Sequence, residues 1–204
     1  MKTATALICT IAATALHANA DVVATGQFVG DYSENFENIA PLGMTPGPAS
    51  TFADHCVTGD IFAGGVMIAN NLTSFLTETS ILPFNGNLMG GSVTGKMSFD
   101  FDAPMHAFGG MIGTTDILTD SYAVFIDDDG FTIDTVDFQL GGPGEWNWFG
   151  WTSDAAFTRV EIHAAANPGL PIVFDDMQVS AVPAPTTASI IALTGLAATR
   201  RRRA

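Results

Sequence analysis

The stretch Ser92-Val93-Thr94-Gly95-Lys96-Met97-Ser98-Phe99-Asp100-Phe101-Asp102 decides the fold class. Val93, Met97, Phe99 and Phe101 fall in one alternating row with Gly95, while Thr94, Lys96, Ser98, Asp100 and Asp102 fall in the other. A period of two puts the rows on opposite faces of an extended chain, so the pattern predicts a strand with one face buried and one wet. The interior shows no long amphipathic helix with a 3.6-residue period.

The same signature recurs outward from this stretch. Residues 122–126 are nearly all apolar, Asp127-Asp128-Asp129-Gly130 has the composition of a tight turn, and residues 131–140 run back, which reads as a β-hairpin. Within the returning strand the apolar phase changes from Phe131 and Ile133 to Val136, Phe138 and Leu140, and a bulge near Asp134-Thr135 would restore the register. Residues 157–163 alternate again, and 172–180 supply a last strand. Weaker candidates lie at 24–29, 66–68, 72–76 and 106–112, and residues 41–50 read as a long surface loop. Eight or nine short strands with Gly-rich connections predict an all-β, antiparallel two-sheet sandwich of jelly-roll type.

The two ends read as addresses. Residues 1–20 carry Lys2, an apolar run over 4–16 and Ala18-Asn19-Ala20, the pattern of a signal peptide whose removal leaves Asp21 first. At the other end Val182-Pro183-Ala184-Pro185 precedes an uncharged stretch, 186–199, and then Arg200-Arg201-Arg202-Arg203. As a helix those fourteen residues cover about 21 Å of a hydrocarbon core of about 30 Å, too short for a permanent anchor. The arginines could snorkel to the cytoplasmic headgroups and hold the helix for a time. A single domain, 21–181, remains between a signal helix and a short C-terminal hydrophobic helix at 182–204.

That domain holds all 21 acidic residues against Lys96 and Arg159 alone, a net charge of about −19. Such a field repels nucleic acid and anionic lipid, which excludes nucleic-acid binding. Once Cys9 leaves with the signal peptide, Cys56 is the only thiol, so no internal disulfide forms; the residue reads as a buried thiol, with an intermolecular link as the other reading.

The three-part tail resembles the PEP-CTERM sorting signal of bacterial exported proteins, with Ala184 in place of the usual glutamate. The resemblance implies recognition through Val182, Pro183, Ala184, Pro185 and Arg200, Arg201, Arg202, Arg203 by an exosortase-like membrane enzyme. It also implies removal of the helix and a destination at the cell surface or in the extracellular matrix. A second resemblance covers the domain. Glu34-Asn35-Phe36-Glu37, Phe149-Gly150-Trp151-Thr152-Ser153, Phe157-Thr158-Arg159-Val160 and Phe174-Asp175-Asp176-Met177 are similar to segments of domains found before this signal. Those domains are in turn similar to jelly-roll carbohydrate-binding modules, whose first and last strands lie side by side.

If the terminal strands pair in that way, Glu37 can meet Asp175 and Asp176, and clustered carboxylates suit a structural Ca²⁺; separate solvated acids are the other reading. The Asp127-Asp128-Asp129 turn lacks the spaced ligands and distal Glu of an EF-hand and reads as a hydrated turn. Trp146, Trp148 and Trp151 fall within six residues, and Trp146 and Trp148 share a face of an extended strand. They read either as a platform for an extracellular polysaccharide or as core plugs.

No catalytic constellation emerges. His55 and Cys56 would face opposite sides of a strand, His55, His106 and His163 lack zinc-type spacing, and no nucleophile elbow or phosphate loop occurs. The sequence therefore predicts an exported, non-enzymatic surface protein, with a carbohydrate-binding module as the alternative.

Overall fold

The computed structural model describes residues 21–37, 50–52, 56–58, 66–73, 78–92, 94–116, 120–164 and 171–181. The predicted signal peptide and predicted sorting residues Val182 to Pro185 and Arg200 to Arg203 lie outside them, as do His55 and residues 41–49 of the loop predicted at 41–50, whose last residue, Ser50, opens a strand instead. The described part is all-β and antiparallel, with no helix.

Its strands are β1 Val22–Thr25, β2 Tyr32–Glu34, β3 Ser50–Phe52, β4 Cys56–Thr58, β5 Met67–Ala69, β6 Leu72–Thr73 and β7 Ser80–Ile81. There follow β8 Met89–Ser92, β9 Lys96–Thr114, β10 Ser121–Ile126, β11 Thr132–Phe138, β12 Trp146–His163 and β13 Ile172–Ser180. Eleven of them form one hydrogen-bonded sheet with the path β11-β10-β12-β9-β13-β8-β5, to which β1, β2, β3 and β4 attach, and β6 and β7 form a separate ribbon.

The large sheet cannot be flat. Phe99 and Phe108 stand nine residues apart on β9, about 30 Å along a straight strand, yet their ring centroids are 5.4 Å apart. The strand therefore folds back on itself. β12 bends with it, because Phe125 of β10 meets both Phe157 and Trp151, at 5.1 and 5.9 Å. Register slips mark the place: Phe157 pairs Met105 and Arg159 pairs Asp100, so residues 101–104 of β9 bulge against a single residue of β12. Pro104 sits in that bulge, where its missing N–H costs no ladder bond.

The bend makes two facing layers. One holds β4, the first half of β9, the second half of β12, β10 and β11; the other holds β5, β8, β13, the second half of β9, the first half of β12 and β1. Met97 and Phe99 are fully buried and Phe101 nearly so, as the alternation predicted. Between the layers Phe108 stacks on Trp151 and Phe174 and meets Phe99 and Phe101. A Cβ at Gly110 would fall 2.6 Å from the Phe174 ring, so glycine there lets that ring reach the centre.

Several sequence expectations need adjusting. The strands expected at 92–102 and 106–112 are one strand, β9, which begins only at Lys96 because Gly95 takes a φ of 75°. The strand expected at 157–163 is the second half of β12. β1 ends at Thr25, short of residue 29. In the hairpin the extra residue is Ile133, since Phe125 pairs Asp134 and Ile126 pairs Thr132, so the bulge lies just before the predicted place. Asp127 closes the turn by accepting from the Phe131 amide at 2.8 Å, with Gly130 at a φ of 84°.

On the outer face of the first layer Glu161 accepts from Lys96 at 2.8 Å and from His163 at 3.0 Å, and His163 stacks on Tyr122. Those bonds, led by His163, lower the Glu161 carboxyl from 4.5 to about 2. A depressed folded value stabilises the fold above the unfolded pKa, and the contribution disappears as pH falls through the folded one. Acid titration of stability should thus show a component lost between pH 4.5 and about 2 that Glu161→Gln removes. Phe108→Ala should lower the unfolding free energy in urea by about 3–5 kcal/mol through the cavity it leaves.

Candidate aromatic ledge

The first half of β12 sorts its aromatics by parity. Phe149 and Trp151 point inward, and Trp151 is only 1% exposed, stacked between Phe108 and Phe149. It offers no face to a ligand, which removes it from the predicted platform. Trp146 and Trp148 lie on the other face, opposite Gly113 and Met111 of β9.

Glycines under these indoles set their height. A Cβ at Gly113 would fall 3.2 Å from the Trp146 ring, one at Gly109 3.0 Å from the Trp148 ring, and one at Gly150 2.9 Å from Trp148 Nε1. With no side chains on these glycines both rings come close to the sheet, and Trp146 packs as well against the buried Ile81, Met89 and Val173. Trp146 Nε1 donates to the Leu82 carbonyl at 3.0 Å, which fixes that ring, and Phe84 approaches it edge-on with centroids 6.3 Å apart. Leu82 and Phe84 are 63% and 49% exposed. At the other end Phe28 meets Trp148 at 5.8 Å, nearly perpendicular. Trp148 Nε1 is shielded from solvent and has no acceptor among the described residues. The four rings form a ledge ordered Phe28, Trp148, Trp146, Phe84.

The first strand, β1, pairs β12 rather than the last strand, and it is β2 that pairs β13, Glu34 opposite Met177; acids beside β2 and on β13 clamp the loop carrying Leu82 and Phe84 from below. Glu37 Oε1 accepts from the amides of Asn87 and Leu88, each at 2.6 Å, and these bonds hold its carboxyl below the usual range. Asp175, fully buried, accepts at Oδ2 from the amides of Phe84 and Asn85, at 2.9 and 3.1 Å. Burial pushes its carboxyl up to about 6 against the pull of those bonds.

Adjacent residues of a regular strand face opposite sides, but Asp176 has a φ of 47° at a register slip in β13. Both acids therefore reach the loop, Asp176 through the Asn85 amide group at 3.5 Å. Glu37, Asp175 and Asp176, the predicted calcium ligands, thus converge on residues 84–88, with oxygens of each engaged by N–H donors. No group of three or more His, Cys, Asp or Glu suited to a metal occurs among the described residues.

The sequence reading missed Phe28, Leu82 and Phe84. The available signal was Leu82-Pro83-Phe84-Asn85-Gly86-Asn87, two large apolar side chains inside a run of turn formers.

No protein-family model matches the chain, and no curated protein matches it. Among solved structures, similarity extends to the enzymatically active domain of tailspike protein 4 of bacteriophage CBA120, at 13% identity and a TM-score of 0.33. That match covers 79% of this chain and 19% of the tailspike chain. A family 29 carbohydrate-binding module from Piromyces equi matches at 9% identity and a TM-score of 0.35, over 79% of this chain and 92% of the module. A family 61 carbohydrate-binding module solved with β-1,4-galactotriose matches at 13% identity and a TM-score of 0.33, over 58% and 92%. These likenesses are remote, and the functional reading rests on the ledge.

Glu37→Ala should raise amide hydrogen exchange at Asn87 and Leu88 by roughly tenfold or more, since each loses a charge-assisted bond. Core amides such as that of Phe125 should keep their rates.

Proposed function

We propose that this protein is an exported, non-enzymatic carbohydrate-binding domain on a sandwich of jelly-roll type, and that it holds a neutral polysaccharide along the ledge. The observation that carries the reading is the pair Trp146 and Trp148, partly exposed and set close over glycines on the sheet face opposite the Phe108 core, where Trp146 also packs against Ile81, Met89 and Val173. Sugar rings present C–H faces that stack on indole, and rings fixed in advance lose little entropy on binding. The two indoles stand two residues apart on one strand, about 6.6 Å of rise, so successive units of an extended glycan meet successive rings.

Polar groups complete the site. The exposed Asn85 and Asn87 offer amides to hydroxyls. The domain's charge favours a neutral glycan over an anionic one. Delivery follows the sequence reading: export through residues 1–20, transient retention in the inner membrane, then sorting by an exosortase-like enzyme through residues 182–203 to the cell surface or matrix.

In affinity electrophoresis across a panel of neutral polysaccharides, the folded domain should be retarded by at least one. Trp146→Ala and Phe84→Ala should each weaken that retention by roughly tenfold, the loss of one stacked ring. Unchanged retention in both variants would sink the reading, as would a folded domain that no polysaccharide retards.

A further inference from the structure

The first strand begins between two acids. The Asp21 backbone nitrogen donates to Asp154 Oδ1 at 3.0 Å, and the Val22 nitrogen donates to Asp134 Oδ2 at 3.3 Å. Asp154 stands where β12 slips against β9, residues 153–156 facing the single residue His106, and Asp134 stands on β11 in the other layer. Among the described strands β1 pairs only β12, and Val22 is seated in the core. The two bonds therefore fasten the start of β1 across the seam between the layers.

Neither acid has a lysine or arginine to face. The domain's two side-chain cations are engaged elsewhere, Lys96 with Glu161 and Arg159 with Asp100. The bond that the sequence predicts to be cut, Ala20–Asp21, lies at this corner. Hydrolysis adds water across it: Ala20 leaves as a carboxylate, and the Asp21 nitrogen becomes a primary amine. That amine takes a proton at neutral pH, its ordinary pKa being about 7.7–8.0. A neutral N–H donor is exchanged for a cation.

We propose that removal of the signal peptide creates a structural cation: the Asp21 α-ammonium pairs with Asp154, with Asp134 beside it, and pins β1 in the mature protein. The proposal rests on the export reading and is independent of the ledge. A charge-assisted bond is roughly twice as strong as a neutral one, so the strand is held more firmly after the cut than before it. The titratable groups at the corner are the Asp21 side chain, Asp134, Asp154 and His106, whose Nδ1 meets the Ser153 carbonyl at 3.0 Å. Ordinary carboxylates and histidines have lost their protons before an amine begins to, so a pH series above neutrality reads the amine itself. A folded-state value raised above the unfolded one stabilises the fold in full below the unfolded pKa, and the contribution is lost as pH rises through the folded one.

The experiment compares two forms of the chain 21–204, one with a free α-amine and one acetylated there, which removes the charge. At an ionic strength of about 0.15 M the fields of distant acids are screened beyond about 8 Å. Under those conditions the α-amine pKa, read by NMR, should lie about half a unit or more above the ordinary range. Asp154→Asn should return it toward that range. Glu78→Gln, which removes the same charge from an exposed position two residues before β7, should not. The free-amine form should melt about 1–3 °C higher at about pH 7, and the gap should close at about pH 10, where the amine is neutral. An ordinary pKa, a pKa that responds equally to both substitutions, or equal melting of the two forms at about pH 7 would overturn the proposal. Terminal-peptide mass spectrometry on the protein from its native cells tests the export reading separately. A mature chain that starts anywhere but Asp21 overturns that reading, and the role of the cut with it, whatever the amine does in the purified chain.

Discussion

The fold-back of the β9–β12 ribbon is the constraint on which the other features depend. Two antiparallel strands of 19 and 18 residues cannot bury one face within a single flat layer, because nothing would cover it. By bending together at residues 101–104 they become their own cover, and the apolar row of one half closes on that of the other. Phe108 marks the closure, since it touches Phe99 and Phe101 of its own strand together with Trp151 and Phe174. Once the inner row is spent on this contact, the outer row makes contacts of its own, among them a second cluster of Ile81, Met89 and Val173.

Tryptophan shows the division most clearly. Trp146, Trp148 and Trp151 belong to one strand, and parity alone sends the first two outward and the third inward. The acids divide in a related way. Lys96 and Arg159 are held by Glu161 and Asp100 on the outer face of the first layer, while Glu37 and Asp175 turn to backbone amides of the 84–88 loop. Burying Asp175 disfavours its charge, and the bonds it accepts are what fix the backbone that presents Phe84.

Alternation made much of this legible. Met97, Phe99 and Phe101 announced their face, the Asp-rich turn announced the hairpin, and the last strand has the predicted bounds, Ile172–Ser180. The length of β9 was hidden, because Asp102-Ala103-Pro104 has the same composition whether a strand stops or bends. A meeting of Glu37 with Asp175 and Asp176 was anticipated from resemblance; each instead turns to N–H donors of the 84–88 loop, mostly backbone amides, which leave no trace in residue identity. Phe84 was missed for a similar reason: an aromatic in a turn-forming run looks incidental until a clamp beneath it and a neighbour such as Trp146 give it a fixed orientation.

The position of β13 has a mechanical consequence. Its Val173 is level with Gly113 and Trp146, and its Ser180 with Ala107 and Thr152, so the ledge lies near one end of the strand and the exit of the chain at Ala181 near the other. If a polymer binds the ledge as proposed, a pull between it and Ala181 would run along the strands rather than across them. β9 holds β13 along one edge, and β8 and β2 hold the other. Their hydrogen bonds would therefore be sheared as a group instead of being unzipped one at a time.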